Sequence, residues 1–249
     1  MSTVDAVVAT DGPAFVTVLG ERVALPVEVR SATMAGATFT VPATAAQRLI
    51  DYSGLRVARI AGTLGICTLG AVQYTDCDLG PYNEVALAIV VEPHDGSPAG
   101  SMASGNLTTL IHRLPVNQEF TCAAGRDIWG FPKWICDITW RQQGGRTDVV
   151  LVDDNELILA LGVKRSPIPV PGNEMEMRCY SWREGVLRLT PWTMRLSGVR
   201  MRPGGAEIEV GANHEVAEEL RSLGFPKPAL MSQTVAHLSC TFGAAEVVS

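Results

Sequence analysis

The sequence predicts a single α+β domain around a large antiparallel sheet that closes, or nearly closes, into a barrel. Many short runs alternate apolar and polar residues as strands do, whereas only three segments have the spacing and end signals of helices. Two of the strand-like runs meet at Gly144-Gly145, which is a typical hairpin turn. Because no repeat or linker interrupts the 249 residues, one domain is expected over 1–249.

Each element follows from its local pattern. Strands are predicted at 22–30, 64–73, 84–92, 107–113, 135–141, 147–152, 156–163, 177–182, 186–190, 193–201, 206–210 and 231–241. The first helix covers 43–52. The second begins after Asn117 as N-cap and ends near Trp129 and Gly130, and the third runs from the N-cap Asn213 to Leu223, with Gly224 following its end. The Pro-rich run 166–172 is interpreted as a loop between strands, because strand-like sequence continues on both sides.

Composition and charge exclude several classes of protein. A hydrophobic fraction of 47% supplies a sizeable core, yet no apolar run reaches the roughly 18 residues that cross a bilayer. A net charge of −6 argues against a nucleic-acid or anionic-membrane partner. Asp5 and Asp11 lie where a secretion signal would carry positive charge, so a cytoplasmic protein is expected.

Cysteine and histidine spacing gives no support for a metal site. The six cysteines stand singly and are predicted to be buried free thiols, while the four histidines form none of the usual ligand pairs. Gly-rich phosphate-binding loops and the nucleophile elbow of hydrolases are also missing from the sequence. No metal site is therefore expected, and most standard cofactor and hydrolase sites are excluded.

Lysine is scarce in this sequence, and one of the three lysines has unusual neighbours. Lys133 follows a helix end through Gly130 and Pro132, and it is flanked by Trp129, Phe131 and Trp134. Desolvation disfavours the ammonium form, and a free amine can attack a ketone to form a Schiff base. The alternative is a lysine whose stem covers an aromatic surface while its head reaches water.

The chain after Lys133 predicts two different faces of one strand. Alternation places Trp134, Cys136, Ile138 and Trp140 together, and it places Lys133, Ile135, Asp137, Thr139 and Arg141 on the opposite, mixed face. A mixed inner face is typical of a barrel that encloses a ligand cavity. We therefore expect the second face to point into the barrel.

The run GRDIWGFPKW, together with PYNEVALAIVV at 81–91, resembles the acetoacetate decarboxylase family. In that family a Gly-Arg-acid segment leads through an aromatic-Pro pair to a lysine that forms a Schiff base with the substrate. The resemblance extends over nearly the whole chain. It implies a cone-shaped β-barrel, an internal carbonyl-binding cavity, no metal or organic cofactor, and assembly into a homo-oligomer.

The resemblance also assigns site residues by position. Lys133 matches the Schiff-base lysine, and Glu84 matches a cavity carboxylate that would move protons. Arg22 matches a cavity arginine, although Arg30 competes with it, and Arg126 would be structural or would hold a carboxylate. Phe131, Trp134 and Leu69 would line the substrate pocket. Two of these positions depart from the family pattern: Trp134 replaces a second lysine, and Leu69 replaces a second glutamate.

Three functions are compatible with these residues. The first is a Schiff-base carbon–carbon lyase that decarboxylates a small or polyketide-like β-keto acid through Lys133. The second is an aldolase-dehydratase that joins a pyruvate-like 2-oxo acid to an aldehyde. The third is a non-catalytic barrel that binds a hydrophobic ketone, with Trp134 and Leu69 in an apolar pocket.

Overall fold

The computed structural model describes residues 14–96 and 107–248. Three helices are present in them, α1 (Ala43–Ile50), α2 (Glu119–Trp129) and α3 (Glu215–Ser222), and a 3-10 turn at Asp51–Ser53 extends the first. The strands are β1 (Ala14–Val18), β2 (Glu21–Leu25), β3 (Val27–Pro42), β4 (Leu64–Cys77), β5 (Tyr82–Val90), β6 (Thr108–Arg113), β7 (Asp137–Gln143), β8 (Arg146–Asp153), β9 (Glu156–Lys164), β10 (Glu174–Arg183), β11 (Val186–Ser197), β12 (Arg200–Pro203), β13 (Ala206–Val210), β14 (Met231–Phe242) and β15 (Glu246–Val247).

Seven strands form a closed barrel in the order β14-β3-β4-β5-β6-β10-β11, and pairing between β11 and β14 closes it. All of these pairings are antiparallel except that between β6 and β10, which is parallel. The barrel interior contains an apolar cluster, here called the inner core, to which every barrel strand contributes: Val29, Ala32, Tyr74, Tyr82, Ile111, Cys179, Met194 and Cys240. The prediction of a single α+β domain with a barrel is confirmed.

A second sheet, in the order β13-β9-β8-β7, packs on the outside of the barrel. The cluster between the two layers, here called the outer core, joins the outward side chains of the barrel to the second sheet and to α3: Ala37, Phe39, Leu69, Leu87, Ile138, Leu151, Leu161 and Leu220. Because successive residues of a strand point to opposite faces, a strand such as β5 contributes alternately to the inner and outer cores. Register therefore decides which side chains can reach the barrel interior.

The helices lie where they are predicted, but their N-caps differ by a residue. Gln118, not Asn117, caps α2 by accepting the Thr121 N–H, while the Asn117 side chain accepts the Asn83 N–H. His214, not Asn213, caps α3. In both cases the residue nearer the helix has the side chain that reaches an unsatisfied N–H group of the first turn.

The strand predictions fail mainly where a strand is long or begins late. Strand β3 continues to Pro42, and β11 joins two runs that were predicted as separate strands around Pro191. Strand β7 begins at Asp137 rather than at residue 135. All six cysteines are buried and free, as predicted. Among the residues that the structure describes, no helix is long and apolar enough to cross a membrane.

Candidate active site

Two extended segments bring Lys133 to Glu84. The chain after β6 bridges β5, because Val116 lies opposite Glu84 and the Val85 N–H donates to the Pro115 carbonyl. The segment that contains Lys133 then runs beside this chain, and the Val116 N–H donates to the Trp134 carbonyl at 3.0 Å. Two residues 49 positions apart in sequence thus become near neighbours through one intervening segment.

The Lys133 ammonium is buried and paired with a carboxylate. Its Nζ lies 2.7 Å from Oε2 of Glu84, and the two side chains are only 4% and 12% exposed. An ion pair that is removed from water is stable only when hydrogen bonds satisfy its remaining groups, so such a pair indicates a preorganised polar site. The structure thus brings together Lys133 and Glu84, the two residues predicted to be catalytic.

Two tyrosines complete the surroundings of the pair. The Tyr74 hydroxyl donates to Oε1 of Glu84 at 3.1 Å, and the ring of Tyr82 lies 5.2 Å from Nζ of Lys133. The two rings are stacked, with centroids 4.2 Å apart. Burial, followed by the negative charge of Glu84, raises the pKa of both phenols well above their ordinary value. Both hydroxyls consequently remain protonated, and Tyr74 remains a hydrogen-bond donor to Glu84.

Helix α2 has a glycine where the Lys133 side chain passes closest to it. At Gly125 a β-carbon would lie 2.4 Å from Cδ and 2.5 Å from Cε of Lys133, which no real side chain tolerates. The helix then ends at Gly130, whose positive φ of 66° turns the chain back towards β5. The glycine in the helix interior is therefore explained by the path of Lys133.

Phe131 and Arg126 lie beside Lys133, but one packs in the inner core and the other binds the main chain. Phe131 is buried in the inner core, with its ring centroid 6.1 Å from that of Trp129. Arg126 is exposed, and its Nε donates to the Lys133 main-chain carbonyl at 2.6 Å. Of the two roles considered for Arg126, this contact supports the structural one.

Trp134 and Leu69 do not line the Lys133 site. Trp134 packs against the outer core, and its Nε1 donates to Oδ2 of Asp153. Leu69 pairs with Leu87 and faces the same core, whereas Glu84 pairs with Val72 and faces inwards. Trp134 and Leu69 instead border a cavity of about 10 Å³ between the barrel and the second sheet. The prediction of a pocket shared with Lys133 is wrong because both side chains lie on the outer core: Leu69 pairs with Leu87, which is an odd number of residues from Glu84 on the same strand and therefore on its opposite face.

The mixed face that was expected to point into the barrel faces solvent instead. Ile135, Asp137, Thr139 and Arg141 are exposed, whereas Cys136 and Ile138 are buried. Lys133 is not part of this strand, since β7 begins four residues later. Alternation was correct for β7 itself, but it could not be extended back to the lysine.

Neither candidate arginine of the N-terminal region is buried. Arg22 is exposed on β2, with its Cζ 4.1 Å from the centre of the Phe15 ring. Arg30 is exposed on β3 and forms ion pairs with Asp76 and Asp78. The expectation of an arginine from this region inside the cavity is therefore not met by the positions of these side chains.

Sequence reasoning missed Tyr74, Tyr82 and Gly125. Tyr82 precedes Glu84 by two residues, so strand alternation alone places both on one face. Tyr74 lies directly opposite Tyr82 on β4, and this pairing is visible only in the register. No group of three His, Cys, Asp or Glu side chains within 14–96 and 107–248 is arranged to hold a metal ion.

Comparison with known proteins agrees with this architecture. A family model described as acetoacetate decarboxylase matches residues 17–249, whereas no curated protein matches. The solved acetoacetate decarboxylase from Legionella pneumophila subsp. pneumophila str. Philadelphia 1 is similar with a TM-score of 0.67 at 14% identity, covering 90% of this chain and 87% of that chain.

Two further solved structures share the fold at low identity. The enduracididine biosynthesis enzyme MppR in complex with pyruvate is similar with a TM-score of 0.64 at 12% identity, covering 90% of each chain. An acetoacetate decarboxylase-like enzyme from Sphingomonas wittichii RW1 has a TM-score of 0.57 at 18% identity, over 92% of this chain and 96% of that chain. Because the family model covers nearly the whole sequence, the chain belongs to the acetoacetate decarboxylase family.

Proposed function

We propose that this protein is a carbon–carbon lyase that binds its substrate as a Schiff base on Lys133, with Glu84 as the group that moves protons. The observation that carries the proposal is the buried contact of 2.7 Å between Nζ of Lys133 and Oε2 of Glu84. The family, which is one of enzymes, supports the same reading.

The first step requires no group beyond these two residues. The ammonium transfers a proton to Glu84, and the free amine adds to the carbonyl carbon of the substrate. The carbonyl oxygen leaves as water with one hydrogen from the amine and the proton returned by Glu84, so a protonated imine replaces the ammonium. General acid–base assistance of this kind contributes about 10²–10⁴-fold to a rate. Tyr74 holds Oε1 of Glu84, so Oε2 faces the amine throughout.

The imine can then serve either of two reactions. In a β-keto acid, the electrons of the breaking carbon–carbon bond enter the imine as carbon dioxide leaves, and the resulting enamine takes a proton on carbon. In an aldol reaction, the enamine forms by loss of a proton and adds to an aldehyde. Water hydrolyses the imine in both cases and regenerates Lys133.

Reductive trapping tests the shared step. The protein is incubated with a panel of ketones and oxo acids, reduced with borohydride and digested, and the peptide that contains Lys133 is weighed by mass spectrometry. We expect a reduced adduct on Lys133, and none in Lys133→Ala or Lys133→Arg, because a guanidinium does not form the imine.

Lys164→Ala is the matched control, since Lys164 is exposed and pairs with Glu207 on the surface. This variant should give the same adduct as the original protein. If no member of the panel modifies Lys133, the proposal fails and a barrel that binds a ketone without covalent chemistry becomes the better account.

A further inference from the structure

We infer that Thr190 is a substrate-binding residue whose hydroxyl donates a hydrogen bond to the carboxylate of an oxo-acid substrate. This inference rests on the proposed function, because it concerns the molecule that Lys133 would hold as an imine. It is carried by an unpaired, fully buried hydroxyl that projects into the barrel from the wall opposite Glu84.

The Thr190 side chain lies on the inner face of the barrel. Thr190 pairs with Cys179 across β10 and β11, and Cys179 belongs to the inner core. Directly opposite residues of an antiparallel pair point to the same face, so the Thr190 hydroxyl is in the barrel interior as well. The next residue, Pro191, is exposed, as alternation along a strand requires.

The wall that carries Thr190 faces the wall that carries Glu84. In the closed barrel, β11 is three strands from β5 by way of β6 and β10, and four strands by way of β4, β3 and β14, so these two strands form opposite walls. Burial raises the pKa of the Cys179 thiol, hydrogen bonds from Thr109 and Trp192 oppose this effect, and the negative charge of Glu84 adds to it. The thiol opposite Thr190 is therefore within electrostatic reach of Glu84.

Neighbouring polar groups on this wall have protein partners, but the Thr190 hydroxyl does not. Oγ1 of Thr109 and Sγ of Cys179 lie 3.4 Å apart, and Nε1 of Trp192 donates to the same sulfur at 3.1 Å. Oγ of Ser181 donates to a main-chain carbonyl of α2 at 2.5 Å. Thr190 is 0% exposed, and its Oγ1 has no hydrogen-bond partner within 14–96 and 107–248. Because buried hydroxyls are nearly always paired, an unpaired one that faces a reactive site indicates a contact reserved for a ligand.

A carboxylate is the substrate group that this hydroxyl fits. Glu84 repels a second negative charge, so the carboxylate of an oxo acid held on Lys133 points towards the opposite wall. Lys133 is the only buried lysine or arginine among the residues that the structure describes, and its positive charge is carried by the imine. A neutral donor also suits decarboxylation, because a cation on the carboxylate would stabilise the starting acid more than the transition state, in which the charge moves into the imine.

Matched acid and ketone probes test the inference by the same reductive trapping. Acetoacetate and isobutyl methyl ketone have the same shape, but two methyl groups of the ketone replace the carboxylate oxygens of the acid. Thr190→Val keeps the shape of the side chain and removes its hydroxyl. Below saturation, we expect this change to slow adduct formation on Lys133 about tenfold with acetoacetate, as loss of a hydrogen bond to a charged group does, and to leave the rate with the ketone unchanged.

Two variants serve as controls for this comparison. Thr190→Ser retains a hydroxyl and should restore the rate with acetoacetate. Ser232→Ala removes another buried, unpaired hydroxyl, but Ser232 lies opposite Ala37 of the outer core, so both rates should stay unchanged. If Thr190→Val slows both probes equally, or slows neither, the inference is overturned and the proposed function stands.

Thermal unfolding without a probe gives a readout that a structural role of Thr190 would move in the opposite direction. Because the hydroxyl is unpaired, Thr190→Val should raise the Tm by about 2–4 °C, whereas loss of a hydroxyl that has a protein partner lowers it. A lower Tm would therefore contradict the inference. The absence of any Lys133 adduct with either probe would instead refute the proposed function, and the inference with it.

Discussion

Replacing Gly125 by alanine should separate the folding role of α2 from its role in placing Lys133. Alanine is favoured over glycine in a helix interior by about 1 kcal/mol, so the helix itself would gain stability. The new β-carbon, however, would lie 2.4 Å from Cδ and 3.2 Å from Nζ of Lys133. Ordinary carbon contacts lie at about 3.5–4.0 Å, so the lysine side chain would have to move by roughly 1 Å.

A displacement of that size breaks the contact with Glu84. The separation of 2.7 Å between Nζ and Oε2 would grow well beyond the hydrogen-bond limit of about 3.2 Å. Misplacement of a reacting group by 1 Å costs about 10²-fold in rate, so imine formation on Lys133 should fall by that order. The assay is the rate of reductive trapping with the best probe, measured together with urea unfolding.

The same substitution in a Lys133→Ala protein is the control. There the β-carbon meets no lysine side chain, and Gly125→Ala should stabilise the fold by up to about 1 kcal/mol. With Lys133 present, we expect the gain to be cancelled, with a coupling of about 1–3 kcal/mol between the two positions. If Gly125→Ala forms the imine at the original rate, or if its effect on unfolding is the same in both backgrounds, the steric argument is wrong.

Three further outcomes are expected. Tyr74→Phe should lower stability by about 1 kcal/mol and slow the trapping on Lys133, because the hydroxyl that holds Oε1 of Glu84 is lost; Tyr180→Phe, a buried change on the outer face, should leave the trapping rate unchanged. Burial alone would raise the pKa of Glu219, but hydrogen bonds and charges from His112 and Arg113 together lower it to about 2. The ionised Glu219 should therefore contribute roughly 3 kcal/mol to the free energy of unfolding above pH 4.5, and this contribution should be lost as the pH falls towards 2. Urea unfolding against pH should show this loss in the original protein but not in Glu219→Gln. All six cysteines should resist alkylation at pH 8 until urea unfolds the chain, and rapid labelling of any thiol in the folded protein would contradict their burial.

The segment from Gly125 to Trp134 shows how far local sequence can be read. A rare lysine among aromatic residues, placed after a helix end, was enough to single out Lys133, because the scarcity of lysine and the aromatic neighbours are both visible in sequence. The end of α2 at Gly130 also follows from local chemistry, since glycine adopts the left-handed conformation without strain. These signals act over a few residues and do not depend on the tertiary contacts of the rest of the fold.

The partners of Lys133 depend on long-range geometry. Whether Glu84 and Leu69 face opposite sides is decided by the register between β4 and β5, and a shift of one residue would place them on the same side. Tyr74 reaches Glu84 only through that same register, and Trp134 packs against the outer core, away from Lys133. The sequence by itself determined the class of fold and singled out the lysine that the structure shows to be buried. Only the tertiary structure decided which side chains share its interior, since strand pairing between distant segments fixes the face of every residue at once.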